Sequence, residues 1–404
     1  MSMGDQEAFD RFWRDADGGP KAPKAPARSV ERGVPEIIAA GIGVITLIGM
    51  VVLWPTGKER PDLSEAGVPS QFYRATVTTV DERPCDFDAT QTCATATFEL
   101  TEGPNAGDSI DQELTVNAST PSLAAGDRVV LSYAPESEPG FEYQYSDRER
   151  RPVLLVLTIV FVVAVLALGA RRGAGALAGL AGSFVILGLF VLPALIDGRP
   201  PLPVAVVGAS AIAYLALYAA HGFGRTTTLA LLGTLAALAL TALLSTLVVA
   251  AARYSGFASE ESFFLTVMAA KVDFRGLVLA GLVLGALGAL DDVTVTQASA
   301  VDELRAANRA LSSRELFTAG MRIGRDHVAS TVNTLFLAYA GAALPLLMLF
   351  VLASQSLGDV ANGEVVAVEI TRALVGSIGL VAAVPVTTVL AAWLGRAPKL
   401  EEAG

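Results

Sequence analysis

Long apolar stretches dominate the chain, and a single polar region interrupts them. A helix needs about 20 consecutive apolar residues to cross the hydrocarbon of a bilayer. Eight stretches reach that length, at roughly 35–54, 152–170, 173–196, 203–221, 227–251, 274–292, 327–353 and 371–394. Between the first two, the period shortens to that of a strand. Residues 71–81 (QFYRATVTTVD), 94–101 (ATATFELT), 109–116 (SIDQELTV) and 127–133 (DRVVLSY) alternate apolar with polar or β-branched side chains. Asn105, Gly107 and Asp108 mark a turn between the second and third, and Pro121 and Gly126 mark later turns. Four or five short strands in this space predict a small barrel of OB-like type. The expected fold is a polytopic α-helical membrane bundle of about eight transmembrane helices with a small extracytoplasmic, β-rich, OB-like domain.

The expected organisation follows. Residues 1–33 form a disordered cytosolic tail, 34–55 the first transmembrane helix and 56–150 the extracytoplasmic β-rich domain. Residues 151–396 form a seven-helix transmembrane domain and 397–404 a second cytosolic tail. In the first tail, Pro20, Pro23 and Pro26 alternate with Lys21, Lys24 and Arg28, a composition that cannot build a core. Phe9, Phe12 and Trp13 precede them at the spacing of a short amphipathic helix. No cleavable signal peptide is expected, because the first apolar run begins at Ile37 without a small-residue cleavage site behind it.

Composition agrees with a membrane class. The 404 residues have a mean hydropathy of +0.52 and 17% charged residues, against roughly 25% in soluble domains. The net charge is −11, which makes nucleic acid an unsuitable partner. Residues 55–151 hold eighteen acidic and eight basic side chains, nearly the whole of that deficit. Basic residues flank the apolar runs with one bias. Lys21, Lys24, Arg28 and Arg32 precede the first, Arg171 and Arg172 follow the second, and Arg225 separates the fourth and fifth. Arg305, Arg309, Arg314, Arg322 and Arg325 lie between the sixth and seventh, and Arg396 and Lys399 follow the last. All of these share one side if both termini are cytosolic, although Arg253 and Arg275 fall opposite. The expected location is a bacterial plasma membrane, with the β domain outside. Cys85 and Cys93 then flank a polar loop, DFDATQT, in an oxidising compartment, where a short-loop disulfide is expected. Neither a metal nor a cofactor is expected.

Candidate chemistry concentrates in two runs. In residues 276–305, Gly281, Gly285 and Gly288 make a small-residue face suited to close helix packing. The run then turns polar. Asp292, Thr296, Ser299 and Glu303 share one face, with Asp291, Thr294, Ala298 and Asp302 beside them, and Gln297 lies between. A carboxylate in hydrocarbon costs at least ~2.5–3.5 kcal/mol, so such groups face a cavity, a cation or a partner. In residues 324–345, Asp326, Ser330, Asn333 and Thr334 share a side, with His327 next to Asp326. Together the two runs could line a path for a hard cation or a proton. The competing reading puts Asp291 and Asp292 at the cytosolic interface, ahead of an ordinary wet helix. His221 and His327, taken singly, suit interface positions better than ligation.

GALGALDDVTVTQASAVDELR at 285–305, GRDHVASTVNTLFLAYAGAALPLL at 324–347 and GFGRTTTLALLGTL at 222–235 resemble the YibE/F-like family of bacterial multi-pass membrane proteins. The resemblance covers roughly residues 150–395 and implies a multi-pass membrane protein described in places as a transporter or efflux protein, without a settled substrate.

The first functional expectation is a cation- or proton-coupled secondary transporter or efflux protein. Its ion or substrate path would use Asp291, Asp292, Thr294, Thr296, Gln297, Ser299, Asp326, Ser330 and Asn333. The alternative is a receptor or assembly scaffold that binds an envelope component through its outer domain. Expected partners are the lipid bilayer, a small ion or solute, an envelope component or a second copy. An enzyme is not expected: Ala289-Leu290-Asp291 lacks the glycine setting of intramembrane aspartyl proteases, and no Gly-x-Ser-x-Gly, HExxH or Walker motif is present.

Overall fold

The computed structural model of the chain describes residues 33–57, 71–84, 92–116, 122–137, 140–257, 272–352 and 356–395, with a few isolated positions between them. The expected cytosolic tails lie outside the described residues, apart from Gly33, which precedes the first helix. What is described is mostly helical, with one five-stranded sheet.

The sheet comprises β1 (Gln71–Pro84), β2 (Thr92–Leu100), β3 (Ser109–Val116), β4 (Arg128–Tyr133) and β5 (Tyr143–Arg148). Its order is β3-β2-β1-β4-β5, and every ladder is antiparallel. β1 is long enough to pair with two neighbours. Its N-terminal half bonds to β4, and most of its length bonds to β2 across a register shift between Val77 and Thr79. The sheet curls until its two edges approach, so that Gln112 Oε1 on β3 accepts from the backbone N–H of Tyr145 on β5 at 2.8 Å. The alternating residues that sequence periodicity singles out do turn inward. Ala75, Val77, Ala96, Phe98, Val129 and Leu131 form a core separate from that of the helices, which is the burial a period-2 pattern dictates.

Among the described residues, six helices are long and apolar enough to cross a membrane, or seven when a bent pair is counted as one. They are α1 (Val34–Val52), α2 (Arg151–Ile186, running through a π-helical turn at Leu187–Val191 into the short α3, Leu192–Ile196), α4 (Pro201–His221), α5 (Arg225–Ala251), α6 (Phe274–Ala307) and α10 (Glu364–Val389). The bent pair is α7 (Ser313–Ala342) and α8 (Leu344–Leu352), which meet at 62°. The short α9 (Leu357–Asn362) precedes α10. α5 and α6 form the centre, with α4, α7 and α10 around them.

The continuous stretch Arg151–Ile196 has 46 residues, about twice what one crossing needs. It is broken at Ala170, whose backbone (φ 44, ψ −119) leaves the helical region. The break returns the chain on itself: a side chain at Gly173 would strike the carbonyl of Val165. The half before the break has no buried residue, whereas the half after it packs its small face, Gly175, Gly179 and Gly182, on Ala219, Ala216 and Leu215 of α4. Small residues at this spacing let two backbones approach.

Side-chain contacts sort the helix ends into two groups. At one end, Arg225 Nε donates to Leu394 O at 2.8 Å and its Nη1 lies 3.6 Å from Glu36 Oε1, while Arg305 Nη2 donates to Ala391 O at 2.6 Å. The Arg225 guanidinium satisfies a carbonyl that the end of the last helix leaves open, and Arg305 adds a second donor to Ala391 O, which also accepts from Gly395 N. At the other end, Asp197 accepts from Gly57 N at 2.9 Å and Thr56 Oγ1 at 3.1 Å, and Glu364 accepts from Ser255 N and Gly256 N at 2.8 and 2.7 Å. The β domain is joined to this second end by both of its termini.

Candidate functional site

Polar side chains inside a helix bundle must find partners, because lipid offers none. Most of the buried hydroxyls here use their own helix. Ser210, Thr241, Ser245 and Thr388 each donate to the carbonyl four residues earlier, an arrangement that costs the ladder little. Others reach across helices: Thr228 lies 3.1 Å from Tyr218 OH of α4, and Thr371 of α10 lies 2.6 Å from Tyr254 OH. Two further groups of this kind involve α6.

The first surrounds Asp291. Thr234, one turn from the middle of α5, lies 2.6 Å from Thr294 of α6 through their hydroxyls, and its Oγ1 is 3.5 Å from Asp291 Oδ1. Thr234 and Thr294 are fully buried and Asp291 is half-buried. Asp291 faces a groove of about 410 Å³ between α6, α4 and the second half of α2, together with Gly288, Ser183 and His221. His221 also lines a polar pocket of about 240 Å³ with Arg172, Thr226, Ser299, Asp302 and Glu303. The two spaces therefore adjoin at His221. The polar one lies where Thr226 Oγ1 donates to Asp302 Oδ2 at 2.9 Å, among the helix ends that carry Arg225 and Arg305. A string of titratable and hydroxyl groups thus runs from that end of the bundle to its middle.

The second group is a clasp. Gln297 is 3% exposed, and its Nε2 donates to Gly320 O of α7 at 2.9 Å and to Thr388 Oγ1 of α10 at 2.7 Å. The clasp closes because Gly320 and Gly324 have no side chain: a Cβ at Gly324 would meet Val384 and the Gln297 amide. Gln297, expected as a ligand on the path, is here occupied in holding three helices together.

The remaining expected site residues separate. Asp292 is exposed on a face of α6 about 100° from Asp291, as adjacent residues on a helix must be. Thr296 is exposed beside it and donates to the Asp292 carbonyl at 2.8 Å. Asp326, Ser330 and Asn333 are exposed on α7, and none of them lines the groove of Asp291. The expected meeting of Asp326 with Asp291 and Asp292 is therefore not found, because α7 turns its apolar side, with Val328 and Val332, toward the core. Close backbone packing at Gly281, Gly285 and Gly288 is also corrected. A Cβ at Gly288 would meet nothing within 4 Å, and one at Gly281 or Gly285 would meet only side chains of Arg372 and Tyr339. Thr234 is a member that the sequence pattern does not single out, whereas Arg172 reads there only as a flanking charge and His221 only as an interface residue. For Arg172 and His221 the signal is position, since both fall at ends of helical runs that short connections bring together, and Thr234, inside α5, has no such signal.

Cys93 is buried at the start of β2, opposite Arg83, and Cys85 lies outside the described residues. No curated protein and no solved structure matches the chain. A family model described as YibE/F-like protein matches residues 157–397, the stretch from the first half of α2 through the last helix. That match takes in every residue of the Asp291 groove and its polar antechamber, and the chain belongs to the YibE/F-like protein family.

Proposed function

We propose that the chain is a multi-pass membrane carrier for a small cation or proton, with Asp291 as the group that loads and releases it. The observation that carries this reading is the half-buried Asp291 carboxylate, facing hydroxyls of Thr234 and Thr294, in a groove that adjoins a polar pocket at His221. A carboxylate at that depth is costly unless it exchanges a proton or cation. Ser299, Asp302, Glu303 and His221 offer successive stops between it and the helix ends, and Arg172 discourages accumulation of positive charge in the antechamber.

In this reading the chain crosses a bacterial plasma membrane eight times, the break at Ala170 making two crossings of Arg151–Ile196. The end bearing Arg172, Arg225 and Arg305 faces the cytosol, in keeping with the bias of basic residues. The β domain then faces outward. Its strand order and the approach of β3 to β5 favour an OB-like barrel, and a Cys85–Cys93 disulfide suits that compartment.

The test is flux in proteoliposomes that contain the full-length protein. A pH-sensitive dye and a panel of monovalent and divalent cations report transport driven by an imposed gradient. Asp291→Asn is expected to abolish gradient-driven flux, and Asp326→Asn to preserve it. Equal flux in Asp291→Asn and wild type would remove this carboxylate from the mechanism.

A further inference from the structure

The polar face of α7 has no part in the path through Asp291. Asp326, Ser330 and Asn333 are exposed on the side of the helix opposite Gly324, Val328 and Leu335, which pack inward. Two contacts fix the depth of this face. Gly324 packs on Gln297, and Tyr339 OH donates to Gly285 O at 3.4 Å, so α7 runs antiparallel to α6. Residues 330–333 therefore lie beside the Leu290–Val293 segment, at the level of Thr234 in the middle of α5. Among the described residues, neither Ser330 Oγ nor the Asn333 amide has a hydrogen-bond partner, and Asp326 has no ion pair. Lipid tails cannot supply these partners. The exposed face of α7 is therefore complete only when something polar covers it.

We propose that a second copy of this chain covers it, the two α7 helices meeting around Ser330 and Asn333. The composition of the patch points to self-association. Hydroxyls and primary amides both donate and accept, so Ser330 and Asn333 are satisfied by their own counterparts across a two-fold axis. Asp326 is the patch's anion, and Arg322 and Arg325, also exposed, are its cations one turn or less away. An isologous interface requires each group's complement within the same patch, and this patch contains them all. Ala329 on the same face leaves room for close approach. The seam lies on the opposite side of α7 from the clasp at Gln297, so pairing leaves the bundle's interior intact.

The test uses the full-length protein in membranes, where single cysteines at Ser330→Cys and Asn333→Cys are oxidised with copper phenanthroline. A dimer band is expected at both positions and is not expected at Leu154→Cys on the exposed half of α2. In a bilayer association assay, Ser330→Leu combined with Asn333→Leu is expected to weaken pairing by roughly tenfold, given the worth of intramembrane hydrogen bonds. Leucine keeps the helix apolar, so insertion is preserved. A monomer without cross-links would overturn the proposal, as would cross-links to another protein only. So would labelling of Asn333→Cys by a membrane-impermeant maleimide, because the face would then line water. Cross-linking with unchanged association in the leucine variant would reject the polar groups as the cause.

Discussion

Thr234 and Thr294 place their hydroxyls 2.6 Å apart, and this bond joins the two central helices beside the carboxylate of Asp291. The two hydroxyls have two protons between them, and each has a backbone carbonyl as an alternative acceptor: Asp291 O at 3.1 Å for Thr294 and Ala230 O at 3.2 Å for Thr234. Each hydroxyl therefore keeps an acceptor when the other is removed. Thr234→Val is expected to destabilise the bundle by only about 1 kcal/mol but to lower flux more than stability, because Asp291 loses its neutral donor. Thermal unfolding in detergent alongside liposome flux separates the two. A variant that loses both in proportion would make Thr234 a packing residue alone.

The Gln297 clasp responds differently. Its amide serves two helices, and replacing it removes both cross-helix bonds, although Gly320 O and Thr388 Oγ1 keep partners within their own helices. Gln297→Leu is expected to cost about 1–3 kcal/mol, and Gly324→Leu more, since its side chain would collide with Val384 and Gln297. Unfolding midpoints of the purified protein check the order.

Ala170 provides a gain instead of a loss. Its φ of 44° and ψ of −119° match the first central position of a type II′ turn, where glycine is preferred. Ala170→Gly is expected to stabilise the helical hairpin by about 1 kcal/mol. A fall in the unfolding midpoint would show that this turn is not the native one.

The sequence pattern carried the spans and strands far because both rest on local repetition. Apolar runs as long as the hydrocarbon is thick have few alternatives, and Ala75, Val77, Phe98 and Leu131 alternate with polar neighbours as half-buried strands do. The site was less legible, for a physical reason. Asp291 and Asp292 are adjacent in sequence but about 100° apart around α6, and nothing local says which one a neighbouring helix will cover. The same holds for α7, whose polar and apolar sides were both visible although their orientation was not. The glycines illustrate the limit again. Gly281, Gly285 and Gly288 and Gly175, Gly179 and Gly182 have the same spacing, but only the second set has a helix laid against it.

The β domain has its own core, and Phe98 within it is fully buried. Phe98→Ala is expected to cost about 3–5 kcal/mol and to unfold the sheet while leaving the helices assembled. Limited proteolysis of the full chain checks this: cleavage between residues 71 and 150 should rise while the bundle resists.

Asp197 gives the fold a pH dependence outside the lipid. The backbone N–H of Gly57, with those of Thr56, holds its carboxyl below the usual range. A depressed folded pKa contributes stability above the unfolded value of about 3.9, and the contribution is lost as pH falls through the folded pKa. Hydrogen-exchange protection of the Thr56 and Gly57 amides is expected to be flat from neutrality to about pH 5 and to fall below pH 4. Asp197→Asn should show weak protection throughout.

That carboxylate has mechanical meaning as well. The first half of α2 has no buried residue, so from that side the β domain is carried on a lightly packed rod about 28 Å long. Asp197 fastens the opposite strap, just past α1, to the bundle. With one side stiff but lightly packed and the other pinned, the sheet is mounted like a gate on a latch. Whatever pulls on the domain would load that latch before it strained any buried helix.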